Sequence, residues 1–405
     1  MYRRCRPIGV LIVLSLLLGA CTKNIEVQGE RDVARASPGT LYSVERIGGY
    51  PHIVLRALVA WQGLSESFPT RHGVSMYRVR YWTTAADASL TVASGLVAFP
   101  RTDRLRGVVS FQHGTASQRS LAPSTPDPNN GVLASAAFAG RGYLLLAPDY
   151  VGLGSSTERH AYLHADSEAD AVVDLLRAAR GVVAAAGVTW PDALLLTGFS
   201  QGGHATLAAQ RSLEAAPLDG LTVVASAPIA GPFDLASISL PFALEGRSNA
   251  SSLYLAYMVS AYANIYGESL GSALREPYAS TVPGLFDGTH DGEAIIAALP
   301  ANPREMFRDD FLRSYEHGEP NWLRERLIDN GLYEWSPRAP IRLYFGSRDV
   351  DVSPREAEFE ARRLRERGGD VTTVDVGAVD HERSVLDAVP VILGWFDELT
   401  PQTAR

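Results

Sequence analysis

A serine flanked by two glycines is the strongest sign of chemistry in this sequence. Gly198, Ser200 and Gly202 match the pattern G-x-S-x-G within the stretch GFSQG. Residues 194–197 form a short apolar run typical of a buried strand, and small residues after the motif open a helix. A serine on so sharp a turn is strained, and only glycine neighbours leave room for it. Because the N-terminus of the helix presents unpaired N–H groups, the stretch predicts a nucleophile whose reaction produces an oxyanion.

A nucleophilic serine needs a general base, and the base needs an acid that orients it. Among the nine histidines, His381 follows the last predicted strand and is the candidate base. Asp349 directly follows the strand before it and is the candidate acid. Asp351, two residues further along the same loop, is the alternative acid. The carboxyl ends of parallel strands meet at one edge of a sheet, so these side chains are expected beside Ser200.

The oxyanion of such a reaction is normally held by two backbone N–H groups. Gln201, the residue after the serine, is the first candidate donor. The second is expected from the turn Q-H-G-T at residues 112–115, where a glycine keeps the backbone open. Thr115 is the preferred donor in this turn, and Gly114 is the alternative.

Strands and helices that alternate along the chain predict an α/β fold with a mostly parallel sheet. Apolar runs and period-two alternation predict eight strands, at residues 76–83, 90–99, 108–112, 143–147, 194–197, 221–225, 341–345 and 371–376. A short helix is predicted at 53–61, and the clearest helix spans 166–186, with its start capped at Ser167.

The interval between the sixth and seventh predicted strands breaks this alternation. Residues 235–337 have helical patterning at 251–267, 293–299 and 304–315, which predicts a helical cap inserted after strand 6. Five of its large side chains are candidates to line a substrate pocket: Tyr254, Tyr257, Met258, Tyr262 and Tyr266. The alternative is that most of them pack the cap onto the sheet.

The N-terminal segment is typical of an exported protein. Three arginines precede an apolar run at residues 8–20, which is too short to span a bilayer comfortably. The following Leu18-Gly19-Ala20-Cys21 resembles the lipobox of bacterial lipoproteins, in which the cysteine is lipidated and becomes the new N-terminus. The predicted organisation is a signal peptide at 1–20, a lipidated polar tether at 21–45 and one enzyme domain at 46–405. A plain signal peptide with an incidental cysteine is the alternative.

Composition limits the remaining possibilities. The 405 residues are 46% hydrophobic and 20% charged, which is ordinary for a globular protein with a sizeable core. The formal net charge is −8 although the first twenty residues are basic, which disfavours nucleic acid as a partner. The cysteines are Cys5 and Cys21, so cleavage before Cys21 leaves no disulfide. His160 and His164 have no following glutamate to complete a zinc motif, and no metal or cofactor is expected.

Several motifs together resemble those of the α/β-hydrolase superfamily: G-F-S-Q-G-G, the Q-H-G-T turn, A-P-D-Y-V-G-L-G at 147–154, G-x-x-D and a final D-H. Within it the chain resembles the secretory lipase/esterase group, which has a large cap after the sixth strand. The resemblance covers roughly residues 75–400. It implies a serine hydrolase acting on carboxylic esters, with Ser200, Asp349 and His381 as triad. Gln201 and Thr115 are then the expected oxyanion donors. Because Thr22 is not aspartate, the resemblance to bacterial lipoproteins implies an outer-membrane location.

Two other functions fit the same residues. The first is a peptidase or amidase on this fold, which p-nitroanilide substrates would distinguish from an esterase. The second is a non-catalytic binding protein on this fold, but such proteins lose a member of the triad, and here all three are present. Covalent labelling by a fluorophosphonate separates the enzymes from the binding protein.

Overall fold

Nine strands form a single sheet in the computed structural model, which describes residues 25, 27–64, 68–102, 104–125 and 128–401. The sheet has the order β1-β2-β3-β5-β4-β6-β7-β8-β9. Neighbours from β1 through β3 to β5 pair antiparallel, and all other neighbours pair parallel. The strands are β1 Leu41–Tyr50, β2 Val74–Thr84, β3 Leu90–Pro100, β4 Val108–Gln112, β5 Leu144–Pro148, β6 Ala193–Phe199, β7 Thr222–Ile229, β8 Ile341–Phe345 and β9 Val371–Asp375.

The prediction of eight strands was wrong by one, because β1 was not predicted. This strand pairs antiparallel with β2, with register shifts near both ends. It lies at the edge of the sheet and contains no fully buried residue, so its sequence lacks an apolar alternation. Residues 41–45, predicted as the end of a polar tether, are therefore part of the sheet. Residues 1–20 and Cys21 lie outside the described residues.

Thirteen α-helices occur in the described ranges. They are α1 His52–Trp61, α2 Pro128–Ala137, α3 Ala165–Ala185, α4 Gln201–Ala215, α5 Leu240–Leu244, α6 Ser251–Tyr266, α7 Leu270–Ala273, α8 Tyr278–Leu285, α9 Gly292–Ala298, α10 Asp309–His317, α11 Trp322–Asp329, α12 Arg355–Glu366 and α13 His381–Leu399. The helix predicted at 166–186 is α3, but its cap is the ring of His164, which accepts from the backbone N–H of Ser167. None of these helices has the length and apolarity that a bilayer crossing requires.

The apolar core lies on both faces of the sheet. One large cluster joins α1, α2 and α13 to one face, and a second joins α3 and the C-terminal half of α4 to the other. A third cluster belongs to the helices between β7 and β8 and includes Tyr162 and Leu163 of the loop before α3. The helical cap therefore has its own core and packs on the sheet domain through the segment that leads into α3.

Candidate active site

Ser200 lies between β6 and α4 in a backbone conformation that few residues adopt, with φ of 57° and ψ of −120°. The flanking glycines are required by close backbone contacts. A Cβ at Gly202 would fall 1.9 Å from the carbonyl oxygen of Gln112, and one at Gly198 would fall 2.3 Å from the carbonyl oxygen of Gly202. Real Cβ atoms essentially never approach another atom within 3.0 Å. The G-x-S-x-G spacing is thus needed to bring the serine to this edge of the sheet.

The structure brings the three predicted side chains together in one buried chain of hydrogen bonds. Nε2 of His381 lies 2.9 Å from Oγ of Ser200, and Nδ1 of His381 lies 2.6 Å from Oδ2 of Asp349. All three residues are buried. His381 opens α13 after β9, while Asp349 follows β8. The aspartate in contact with the imidazole is Asp349 and not Asp351.

The surroundings of Asp349 keep it an acceptor aimed at His381. Its second oxygen, Oδ1, accepts from the backbone N–H groups of Asp351 and Val352, at 2.9 Å each. Burial by itself lowers the pKa of His381. The Asp349 carboxylate outweighs it through charge and hydrogen bonding, with Asp351 and Glu382 adding to the effect, so the pKa of His381 is raised above its ordinary value. The imidazole is therefore a stronger base than a free histidine.

The two candidate oxyanion donors belong to the start of α4 and to the loop after β4. The backbone N–H of Gln201 begins α4 and has no hydrogen-bond partner within the described ranges. The loop after β4 packs directly on the nucleophile, because a Cβ at Gly114 would lie 3.2 Å from Cδ1 of Phe199 and 3.5 Å from Cβ of Ser200. Thr115, the next residue, is held by a 2.9 Å hydrogen bond between its hydroxyl and that of Tyr162.

Known proteins with similar structures include hydrolases. Residues 131–235 match the family model described as secretory lipase. The structure of the rice cell wall degrading esterase LipA from Xanthomonas oryzae matches with a TM-score of 0.79 and 27% identity, over 89% of this chain and 98% of that chain. A Legionella pneumophila protein, assigned only provisionally as a hydrolase, matches with a TM-score of 0.83 and 26% identity, over 90% of this chain and 99% of that chain.

The protein has the α/β-hydrolase fold. It shares the sheet and its flanking helices with these proteins, and within the superfamily it resembles the secretory lipase/esterase group. Candida antarctica lipase A in its closed state has the same fold at 14% identity, with a TM-score of 0.65 over 93% of this chain and 86% of that chain. No protein in the curated set matches the chain.

A cavity opens over Ser200. Its volume is about 470 Å³, counted with the solvent space at its mouth, and Ser200 lies in its wall. The cap contributes much of the lining: Phe242, Ala243, Tyr254, Leu255 and Met258. Pro232, Leu163 and Val352 add further apolar surface, while Asp351 is the only charged lining residue. The cavity therefore suits an apolar group attached to a carbonyl carbon at the serine.

The five large cap side chains have two different roles. Tyr254 and Met258 line the cavity. Tyr257 instead stacks between Tyr162 and Phe286, with ring centroids 4.5 Å and 4.3 Å away, and its hydroxyl donates to the carbonyl of Ala116. The hydroxyl of Tyr262 donates to the carbonyl of Leu163, and the ring of Tyr266 lies 6.0 Å from that of His164. Most of this set packs the cap onto the hydrolase domain.

A buried polar cluster next to Gln201, the residue after Ser200, was not predicted from the sequence. Glu168 on α3 is buried and contacts both His204 and Gln201 of α4. Its position four residues before Val172 places it on the apolar face of α3, and a charged residue on such a face is the signal that could have found it. His204 faces this group rather than the triad. Within the described ranges no group of three or more His, Cys, Asp or Glu side chains is arranged to hold a metal ion.

Proposed function

We propose that this protein is a serine hydrolase that cleaves carboxylic ester bonds through an acyl-enzyme intermediate. The main support is a chain of hydrogen bonds in which His381 lies 2.9 Å from Ser200 and 2.6 Å from Asp349. Ser200 lies in the wall of a cavity. The match to the secretory lipase model and the likeness to an esterase of known structure support the same reaction class.

Each group has a defined part in this reaction. Oγ of Ser200 attacks the ester carbonyl while Nε2 of His381 takes its proton, and Asp349 stabilises the imidazolium that forms. The backbone N–H groups of Gln201 and Thr115 donate to the oxyanion of the tetrahedral intermediate. His381 then returns the proton to the leaving alcohol. Water, activated by the same imidazole, finally hydrolyses the acyl-enzyme and regenerates Ser200.

The cap, predicted over residues 235–337, is the part of the molecule that selects the substrate in this proposal. Its side chains Phe242, Leu255 and Met258 give the cavity an apolar wall near the serine. An apolar wall stabilises the hydrocarbon portion of an acyl or alcohol group, at roughly 0.8 kcal/mol for each buried methylene. Esters with an apolar acyl chain are therefore the substrate class that this cavity favours.

The reaction class is tested with p-nitrophenyl esters and the matching p-nitroanilides. We expect ester hydrolysis by the wild-type protein, covalent labelling of Ser200 by a fluorophosphonate, and loss of both in Ser200→Ala. Faster cleavage of the anilides would identify an amidase instead. A folded protein that neither hydrolyses esters nor is labelled would be a binding protein on this fold.

We also propose that the enzyme is exported and anchored by a lipid on Cys21, at the outer membrane. The support is the basic segment, apolar run and Leu18-Gly19-Ala20-Cys21 motif at the start of the chain. The secretory lipase match supports export. Stable anchoring requires more than one acyl chain. Cys21→Ser is therefore expected to give unprocessed or soluble protein, and a soluble wild-type protein whose mass contains no lipid would contradict the anchor.

A further inference from the structure

A second imidazole–carboxylate pair is formed by His204 and Glu168, and it contacts Gln201, the residue after Ser200. Nδ1 of His204 is 2.7 Å from Oε2 of Glu168, and the other oxygen of this carboxylate accepts from Nε2 of Gln201 at 2.9 Å. The same amide nitrogen lies 2.8 Å from Nε2 of His160. His204 and Gln201 are completely buried, and Glu168 is 1% exposed. Neither imidazole touches the triad.

The hydrogen-bond partners determine where the protons lie. His160 has its Nδ1 2.8 Å from the carbonyl of Val151, and burial lowers its pKa, so it is neutral with the proton on Nδ1. Its Nε2 then accepts from Gln201. His204 faces acceptors on both sides, with its Nε2 3.0 Å from the carbonyl of Asn330. The ring of His204 is thus held between the side chain of Glu168 and the carbonyl of Asn330.

Gln201 lies at the centre of this network, and its backbone takes part in the proposed reaction. Gln201 is the first residue of α4, and its N–H is the oxyanion donor of the proposed function. The first turn of a helix lacks intrahelical partners for its N–H groups and is held less firmly than the middle. Here the side chain of Gln201 is fixed from α3 by Glu168 and from the preceding loop by His160. These two contacts restrain the peptide plane that bears the donor.

We propose that Glu168 and His204 are positioning residues for the oxyanion hole and act through the side chain of Gln201. The inference rests on the proposed function, because it gives that reaction its oxyanion donor. His204 holds the Glu168 carboxylate in place, Glu168 holds the amide of Gln201, and the amide holds the N–H beside Ser200. A displacement of about 1 Å at a reacting centre costs on the order of 100-fold in rate.

The same helix provides a matched control at its other end. Nε2 of Gln210 donates to Oε1 of Glu214 at 2.9 Å and to the carbonyl of Ala339 at 3.1 Å. Gln210 and Gln201 are both completely buried, and neither amide oxygen has a partner within the described ranges. Gln210 thus reproduces the buried glutamine–glutamate contact at a position remote from Ser200. A purely structural role predicts the same behaviour at both sites.

The test replaces each glutamine by methionine, which keeps the size of the side chain and removes its hydrogen bonds. In Gln201→Met we expect kcat on a p-nitrophenyl ester to fall about tenfold or more with KM nearly unchanged, since an oxyanion contact operates mainly in the transition state. Binding of a phenylboronic acid, which forms a tetrahedral adduct on the serine, is expected to weaken by a similar factor. Gln210→Met is expected to lower Tm alone.

A second variant examines the carboxylate. Glu168→Gln is expected to lower kcat in the same way, and the double variant Glu168→Gln, Gln201→Met is expected to be no slower than Gln201→Met, because both changes break one connection. If Glu168→Gln does not fold, the comparison of Gln201→Met with Gln210→Met alone tests the positioning role. Normal kcat and boronate affinity in Gln201→Met, or equal losses in the two methionine variants, would overturn the inference. A wild-type protein that fails to hydrolyse esters or react with fluorophosphonate would instead refute the proposed function.

Discussion

Asp349 and Asp351 are two residues apart in the loop after β8, but they bind different partners. Asp349 is turned inward and contacts His381. Asp351 accepts instead from the cap, through the hydroxyls of Ser248 at 2.7 Å and Tyr254 at 3.2 Å. In the proposed mechanism the first carboxylate therefore orients the base, whereas the second joins the loop to the cap and lies in the cavity wall.

Replacing each aspartate by asparagine separates these roles. Asp349→Asn is expected to lower kcat by up to about 10⁴, because the amide leaves the imidazole in the wrong tautomer. Asp351→Asn is expected to lower kcat less than about tenfold, since its amide oxygen still accepts from the cap hydroxyls. The measurement is kcat on a short-chain p-nitrophenyl ester, with circular dichroism as the check of folding. If Asp351→Asn loses activity and Asp349→Asn keeps it, the acid that orients His381 is Asp351 instead.

The raised pKa of His381 has a consequence for the pH dependence of activity. The imidazole must be neutral to act as a base, so kcat/KM is expected to fall on the acid side at a pH above the ordinary histidine pKa of about 6.5. The Asp351 charge contributes to the raised pKa. Asp351→Asn is therefore expected to move this acid limb to lower pH. Asp192→Asn, an exposed change just before β6, is the control, and equal shifts in both variants would argue against the local effect of Asp351.

The sequence contains enough information to predict that Ser200, Asp349 and His381 meet, but not that Glu168 and His204 do. Ser200, Asp349 and His381 each follow a predicted strand, so their meeting at one sheet edge follows from topology. Glu168 and His204 lie inside α3 and α4, and no local pattern states that these two helices bring them into contact. The contact depends on the relative position of the two helices, and only the tertiary structure contains that information.

At the scale of elements, the helix α6 is the main determinant of the cavity wall. Met258 lines the cavity, whereas its neighbour Val259 is completely buried among other cap residues. Met258→Ala is expected to lengthen the cavity and to raise kcat/KM for long-chain esters relative to short ones, by about tenfold. Val259→Ala is expected to lower Tm without changing this ratio. A chain-length series of p-nitrophenyl esters gives the measurement, and equal profiles for the two variants would show that Met258 only packs the cap.

The predictability of the elements follows their burial. The parallel strands β4, β5 and β8 and the helix α3 were predicted closely because continuous apolar runs or a 3.6-residue period mark them. The edge strand β1 was missed because all of its residues are partly or fully exposed and Gly48 and Gly49 interrupt it. In the cap, the short helices such as α5 and α7 were not predicted, since four or five residues cannot display a period.

At the scale of the whole molecule, the buried carboxyl group of Glu356 joins the sheet domain to the start of the cap. Glu356 on α12 accepts from the backbone N–H groups of Phe233 and Asp234, at 3.0 Å and 2.9 Å, and contacts the hydroxyl of Ser239. Burial raises the pKa of Glu356 to about 8, although these hydrogen bonds lower it in part. Burial also raises the pKa of Glu360, one turn further along α12.

These shifts predict that the protein loses stability as the pH rises. Glu356 is protonated in the folded state and ionised in the unfolded state between pH 4.5 and about 8, so the free energy of unfolding falls by about 1.4 kcal/mol per pH unit in this window. Glu356→Gln resembles the neutral acid, and its Tm is expected to fall less steeply from pH 5 to pH 8. Glu358→Gln, exposed on the same helix, is the control. Parallel Tm profiles for wild type and Glu356→Gln would contradict the raised pKa.

The order of the proposed catalytic residues along the chain also determines when the proposed reaction becomes possible. Ser200 and Gln201 are in place before the cap is synthesised, but Asp349 and His381 come from the loops after the last two strands, at the edge of the sheet opposite β1. A nascent or prematurely terminated chain that ends before Asp349 contains the nucleophile without its base or acid. In the proposed mechanism, hydrolysis therefore cannot begin until the chain has been synthesised past His381 and has folded.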